Sequence, residues 1–178
     1  MLEIFYPDHE VESAYEIDFE RLYQKGYRGV IFDIDNTLVP HGAPADERAT
    51  ALFKRLHKMG LQTVLLSNNK EPRVKMFNDG VGSTYIFKAG KPGRRGYENA
   101  MKRMGTVPKN TVFVGDQLFT DIWGAKKAGV STWLVKPIHP KEEIQIILKR
   151  RLEWIVLFFY HRRLKKEGKS NVAVKRRV

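Results

Sequence analysis

Residues 29–38 read Gly29-Val30-Ile31-Phe32-Asp33-Ile34-Asp35-Asn36-Thr37-Leu38, or GVIFDIDNTL, and this stretch decides the fold. Val30, Ile31 and Phe32 make a short apolar run bounded by polar turn-formers, the pattern of a buried strand. The run ends in two carboxylates, Asp33 and Asp35, with Asn36 and Thr37 directly after. In open α/β sheets, ligands sit beyond the carboxyl ends of the strands. Two carboxylates placed together there suffer desolvation and repulsion unless a cation or a reaction uses them. A lone D-x-D also fits a plain polar exit from a strand, so the rest of the chain has to choose.

Outward from that strand, helical and strand patterns alternate. Before it, Asp18 can cap a short helix, FERLYQKG, stopped by Gly26, while residues 1–15 show no clear period. After it comes a loop with Pro40, Gly42 and Pro44, then a helix from about Asp46. That helix carries Ala49, Leu52, Phe53, Leu56 and Met59 on one face, and Gly60 closes it. A strand, TVLLS, runs through Ser67 into Asn68-Asn69. A helix over 71–79 and a short strand around 85–87 lead to the loop KAGKPGRRG. A helix over 96–104 precedes TVFVG, a buried strand ending at Gly115-Asp116. A helix over 119–128 and a strand, STWLV, follow. Strands alternating with helices predict an α/β three-layer sandwich, a mainly parallel sheet with helices on both faces. Residues 1–140 are expected to form this domain, with a helical lead-in over 1–27. Pro137 and Pro140 separate it from a basic, aromatic helix over 141–166, and a polar tail over 167–178 is expected to be disordered.

Composition narrows the class. A chain of 178 residues suits one domain with a real core. It has no cysteine, which excludes disulfides and thiolate metal sites and permits the cytosol. The first residues, MLEIFYPDHEVES, lack the basic and apolar regions of a secretory leader, so none is expected. The longest apolar run is Trp154–Tyr160, seven residues, against the ~20 of a spanning helix. The net charge of +12 is uneven: residues 136–178 carry 13 Lys/Arg against 4 Asp/Glu, and residues 1–135 carry 19 against 16. The basic character therefore concerns partners more than fold. The five histidines have no metal-ligand spacing, which argues against zinc.

The polar groups at the strand ends form a set: D33-x-D35-N-T, S67-N-N, K91-P and G115-D116-x4-D121. Metal-assisted phosphoryl transfer needs these types. A carboxylate can attack phosphorus. A hard cation such as Mg²⁺ wants carboxylate and phosphate oxygens. A hydroxyl and backbone N–H groups can hold phosphate oxygens. A lysine offsets transition-state charge, and a second acid serves leaving group and water in turn. The residues D-I-D-N-T-L-V and G-D-Q-L-F-T-D-I-W-G-A, with the other two motifs in order between them, resemble the haloacid dehalogenase (HAD) superfamily of aspartate-nucleophile phosphatases. S-N-N, K-A-G-K-P and G-D-Q-L-F-T-D carry a closer resemblance to its class IIIA, YqeG-type phosphatases, whose eukaryotic relatives dephosphorylate phosphatidylglycerophosphate. The resemblance implies a Rossmannoid HAD fold, an aspartyl-phosphate intermediate and Mg²⁺. It implies Asp33 as nucleophile and metal ligand, and Asp35 as general acid/base with its backbone carbonyl on the metal. It implies Ser67 as a phosphate ligand helped by the Asn68 backbone, and Lys91 as the phosphate-binding cation. Asp116 would bind the metal, with Asp121 binding it directly, through water, or steadying Lys91. Lys88 competes with Lys91; Lys-Pro is the family form.

Spacing and charge bear on the substrate. The loop after Asp35 and the segment from Ser67 to Lys91 are too short for an inserted cap domain. A capless, open site suits a phosphate on something large, such as a lipid headgroup, or an oligomeric neighbour closes it. LKRRLEWIVLFFYHRRLKK sets an aromatic block between basic clusters, a composition that anionic lipid surfaces attract. Apolar residues cover every side of that helix, so Leu152, Ile155 and Phe159 can instead pack on the domain or on a second copy. The expected enzyme is a Mg²⁺-dependent, phosphatidylglycerophosphatase-like phosphomonoesterase of phospholipid metabolism, cytoplasmic or peripheral on the inner face of the membrane, with contact through Lys149–Lys166. The alternative is a polynucleotide or nucleotide phosphatase, or a nucleic-acid-associated protein on a HAD scaffold; charge alone supports only nonspecific binding of that kind.

Overall fold

Strands β1 (His9–Val11), β2 (Gly29–Phe32), β3 (Gln62–Leu66), β4 (Thr84–Ile86), β5 (Thr111–Gly115) and β6 (Ser131–Val135) form one sheet. The order is β1-β6-β5-β2-β3-β4, and every pair is parallel. The helices are α1 (Phe19–Gln24), α2 (Glu47–Lys58), α3 (Glu71–Val81), α4 (Arg94–Met104), α5 (Trp123–Lys127) and α6 (Ile144–Lys166). The structure, a computed structural model, describes residues 2–138 and 144–167. The tail expected to be disordered lies outside the described residues from position 168 on.

Side-chain alternation builds the three layers. On β2, Val30 and Phe32 face one core and Ile31 the other; on β5, Val112 and Val114 oppose Phe113 in the same way. The first core is closed by Phe19 and Leu22 of α1, Leu52, Phe53 and Leu56 of α2, and Val74 and Phe77 of α3. The second is closed by Tyr97, Met101 and Met104 of α4 and Ala125 of α5. Central strands buried on both faces read as continuous apolar runs, which is why GVIF and TVFVG were legible. Asp46 caps α2, its carboxylate accepting from the Ala49 N–H at 2.8 Å. Neither the loop after Asp35 nor the segment from β3 to Lys91 holds an inserted domain: the first runs straight to α2, and the second contains only α3 and β4.

Three expectations are corrected. Residues 9–11, expected within a helical lead-in over 1–27, form β1, an edge strand beside β6. Three residues are too few to show a period, and the strand exists through pairing, with the His9 ring stacked on Trp133 at 4.2 Å. The helix expected over 119–128 divides into a wider-wound π segment, Leu118–Ile122, and α5. On α6, Leu152, Ile155 and Phe159 do not pack on the domain; they are exposed. Val156 and Tyr160 pack instead, Val156 against Leu118, Ile122 and Leu134. A helix that is apolar all round leaves its sequence silent on which side the domain takes.

Candidate active site

β2 lies between β3 and β5, with Phe32 opposite Leu65 and Val114. The three chain exits therefore reach one level at the sheet's carboxyl edge: Asp33 after β2, Ser67 after β3, Asp116 after β5. The Asp33 N–H donates to the Val114 carbonyl at 2.9 Å, so the ladder continues to the acid itself. Ile34 is fully buried and pins the exit. Asn36 turns the chain with φ of 61°, a left-handed conformation that asparagine tolerates better than most residues.

Asp33, Asp116 and Asp121 are all buried, and one carboxylate oxygen of each lies within 4.8 Å of the others. Lys91, also buried, enters this cluster. Its Nζ donates to Asp33 Oδ1 at 2.6 Å and to Asp121 Oδ1 at 2.7 Å. Lys88 is exposed, so Lys91 is the lysine the fold delivers. Burial pushes the Asp33 carboxyl up to about 6; Lys91 works against this, while the Asp121 and Asp35 carboxylates reinforce it. Burial also disfavours the Lys91 charge, but the carboxylates of Asp121 and Asp33 outweigh it and hold Lys91 above the usual lysine range.

Three buried carboxylates converge here, and Lys91 is bonded to those of Asp33 and Asp121. All-oxygen donors of this kind fit a hard divalent cation. Asp33, Asp116 and Asp121 are the side chains that could hold it. Thr37 joins the group, its hydroxyl 3.2 Å from Asp116 Oδ1 and 3.4 Å from Asp33 Oδ2.

Asp35 stands apart from the cluster. Its Oδ1 accepts from the Gly42 N–H at 2.8 Å and from the Arg73 guanidinium at 2.8 and 3.2 Å; its Oδ2 accepts from Asn69 at 2.7 Å. The side chain predicted to work beside Asp33 is therefore gathered by the Ser67–Arg73 segment. Ser67 is buried, its hydroxyl accepting from the Asn69 N–H at 3.1 Å. Asn68 uses its side chain to clamp the Lys91 backbone, accepting from its N–H at 2.8 Å and donating to its carbonyl at 3.0 Å.

Three supporting residues escaped sequence reasoning: Arg73, Tyr97 and Glu153. The Tyr97 hydroxyl donates to the carbonyls of Asp121 at 3.0 Å and Thr120 at 3.3 Å. Gly124 admits that ring, since a Cβ there would lie 2.6 Å from the Tyr97 hydroxyl. Glu153, reaching across from α6, accepts from the Leu118 N–H at 2.8 Å at the start of the segment that carries Asp121. Tyr97 looks like an ordinary core aromatic. Glu153 had one signal: it is the only acid in the α6 sequence.

Comparisons with known proteins agree with this geometry. Residues 43–129 match the family model described as haloacid dehalogenase-like hydrolase. The Bacillus subtilis protein named "Probable phosphatase YqeG" is 34% identical over 154 residues, 86% of this chain and 90% of that protein. The chloroplastic/mitochondrial phosphatidylglycerophosphate phosphatase 1 of Arabidopsis thaliana is 30% identical over 85% of this chain; the chain spans 47% of that longer protein. Among solved structures, a HAD superfamily (subfamily III A) protein from Legionella pneumophila superposes with a TM-score of 0.52 at 19% identity, over 70% of this chain and 74% of its own. At 34% identity over nine-tenths of a relative's length, the chain belongs to the haloacid dehalogenase superfamily, among its YqeG-type phosphatases.

Proposed function

We propose that this phosphatase is a Mg²⁺-dependent phosphomonoesterase that works through an aspartyl-phosphate on Asp33, and that its substrate is a large or membrane-borne phosphate, most concretely phosphatidylglycerophosphate. The observation that carries the reading is Lys91, bridging Asp33 and Asp121 inside a cluster of three buried carboxylates. Asp33, Asp116 and Asp121, with the Asp35 carbonyl, would hold a divalent cation, which would supply charge neutralisation for the phosphoryl group.

The protein's own groups divide the work. Lys91 holds Asp33 by Oδ1, so the carboxylate is oriented before substrate arrives. Asp33 attacks phosphorus, and the alcohol oxygen leaves with a proton from Asp35. Water then hydrolyses the aspartyl-phosphate, with Asp35 taking the proton. For both transfers the Asp35 carboxyl has to turn from Arg73 and Asn69 toward the reacting oxygen. Ser67 and the backbone N–H of Asn68 bind the phosphoryl oxygens, with Lys91 offsetting their charge.

The lipid reading rests on the open site, the named activity of the plant relative and the composition of the Lys149–Lys166 segment. On this reading the enzyme is cytoplasmic and peripheral, meeting anionic phospholipid at the inner face. No helix among the described residues is long and apolar enough to cross a membrane.

Asp33→Asn is expected to abolish turnover of a generic aryl phosphate in a protein that stays folded; retained activity of more than a few per cent refutes the nucleophile. Exhaustive chelation is expected to stop turnover and Mg²⁺ to restore it. A panel of lipid, sugar, nucleotide and polynucleotide phosphates tests the substrate. Preference for the lipid by orders of magnitude is expected; preference for a 3′- or 5′-phosphorylated polynucleotide favours the nucleic-acid alternative.

A further inference from the structure

The outward side of α6 is unlike the rest of the surface. Trp154 is 68% exposed and Phe158 51%, and Leu152, Ile155 and Phe159 are exposed beside them. The helix's inward side is already used: Glu153, Val156 and Tyr160 are buried, at the i, i+3, i+7 spacing of one face. The outward apolar side chains therefore add nothing to the core. They also form a coherent set, with Trp154 stacked near Phe158 at 6.1 Å and Phe158 edge-on to Phe159 at 5.6 Å.

Charge says what this face meets. Arg151, Arg162, Lys165 and Lys166 are exposed at its two ends. Arg163 is paired with Glu3 and Glu167 and stands outside the count. The only acid of α6, Glu153, points inward. A shallow groove along the helix is lined by Trp154, Phe158, His161, Arg162 and Lys165, mixing aromatic and cationic walls. Exposed aromatics in the middle, cations at both ends and no exposed acid on the helix complement an anionic lipid interface, with rings at the headgroup level and basic side chains on the phosphates. A nucleic acid would meet the cations but leave the aliphatic Leu152 and Ile155 in water.

The position of the helix matters as well. A cavity of about 170 Å³ lies between α6 and the sheet edge, with Trp154 and Leu157 on one wall and Asp116, Leu118 and Leu134 on the other. Glu153 ties the same helix to the turn that carries Asp121.

We propose that the outward face of α6 is a monotopic docking surface for anionic lipid, inserting Trp154, Ile155, Phe158 and Phe159 into the interface and holding the Asp33 site against the membrane. The proposal rests on the phosphatase reading only for its consequence; the docking itself is measured without turnover. The full-length protein is mixed with vesicles of phosphatidylcholine alone or with phosphatidylglycerol, and sedimentation and tryptophan emission are read. Binding is expected only with phosphatidylglycerol, to weaken as salt is raised from about 0.1 M, and to shift the emission to the blue in the native protein but not in Trp154→Phe. Phe158→Ser with Phe159→Ser, and separately Arg162→Gln with Lys165→Gln, are expected to weaken binding at least tenfold. Neither pair is expected to alter turnover of a soluble aryl phosphate, which also shows that both remain folded. Absent binding, equal binding to neutral vesicles, or undiminished binding by both pairs overturns the proposal. So does a native dimer that the Phe158/Phe159 pair dissociates, or displacement from vesicles by duplex DNA at low salt. Vesicle binding as expected without turnover of lipid phosphate upholds the docking surface and sinks the lipid substrate instead.

Discussion

The sheet's carboxyl edge and the outward face of α6 are opposite solutions to one problem, groups in the wrong solvent. At the edge, four charged side chains, Asp33, Lys91, Asp116 and Asp121, are buried, and Lys91 is bonded to two of the carboxylates. On α6, five large apolar side chains among the described residues stand in water. Buried charge is tolerated only where partners are held in fixed geometry, so the edge is rigid by necessity. Exposed apolar surface of this size is tolerated without order, so the α6 face answers to partners more than to the fold. The first region is where a change should be felt most widely, and the second where it should be felt least outside docking.

Lys91→Ala is the largest break. It strips the two buried carboxylates of Asp33 and Asp121 of their shared ammonium, with an expected cost on the order of 3–5 kcal/mol and a loss of ~10²–10³ in kcat. Denaturant melts and aryl-phosphate kinetics measure both, and Lys88→Ala, an exposed site, is the control expected to change neither. Gly115→Ala tests how tightly the edge is packed. A Cβ there would lie 2.6 Å from the Phe113 ring and 2.7 Å from Asp121 Oδ2, so one of them must move. The expected cost is about 1–3 kcal/mol, with a weaker Mg²⁺ requirement curve read by thermal shift against added metal.

Arg73→Ala is expected to be milder and selective. Two guanidinium bonds hold Asp35 in the resting position from which it turns to the reacting oxygen, and their loss should matter only where Asp35 is needed. Turnover of a poor-leaving-group alkyl phosphate should fall ~10-fold or more, within the range of acid–base contributions, while an activated aryl phosphate is spared. An equal fall on both would mean that Arg73 serves structure alone. Phe158→Ser marks the lower limit: stability within about 0.5 kcal/mol and unchanged aryl-phosphate kinetics, because the ring contacts no part of the described site. A large loss of either would place that face inside the fold after all.

Much of the candidate site was legible in the chain. GVIF and TVFVG are buried on both sides, and a continuous apolar run announces such a strand. The polar residues that end these runs stand at the carboxyl edge because parallel strands share a direction, so strand identity alone brings Asp33, Ser67 and Asp116 together. The parallel sheet and the absence of inserted caps followed from the spacing of the same runs.

What the sequence determined by itself is thus the sheet, its carboxyl edge and the residue types assembled there, because periodicity and strand direction are local properties. Only the tertiary structure decided the rest. Lys91 enters the carboxylate cluster and Lys88 does not, because the loop after β4 aims one inward, which no spacing rule states. Asp35 leaves the company of Asp33 for Arg73 and Asn69, since those donors come from a segment beyond α2. Strand β1 exists by pairing with a strand more than a hundred residues away. The sides of α6 were assigned by the domain beneath it, because a helix apolar all round carries no instruction about which face to bury.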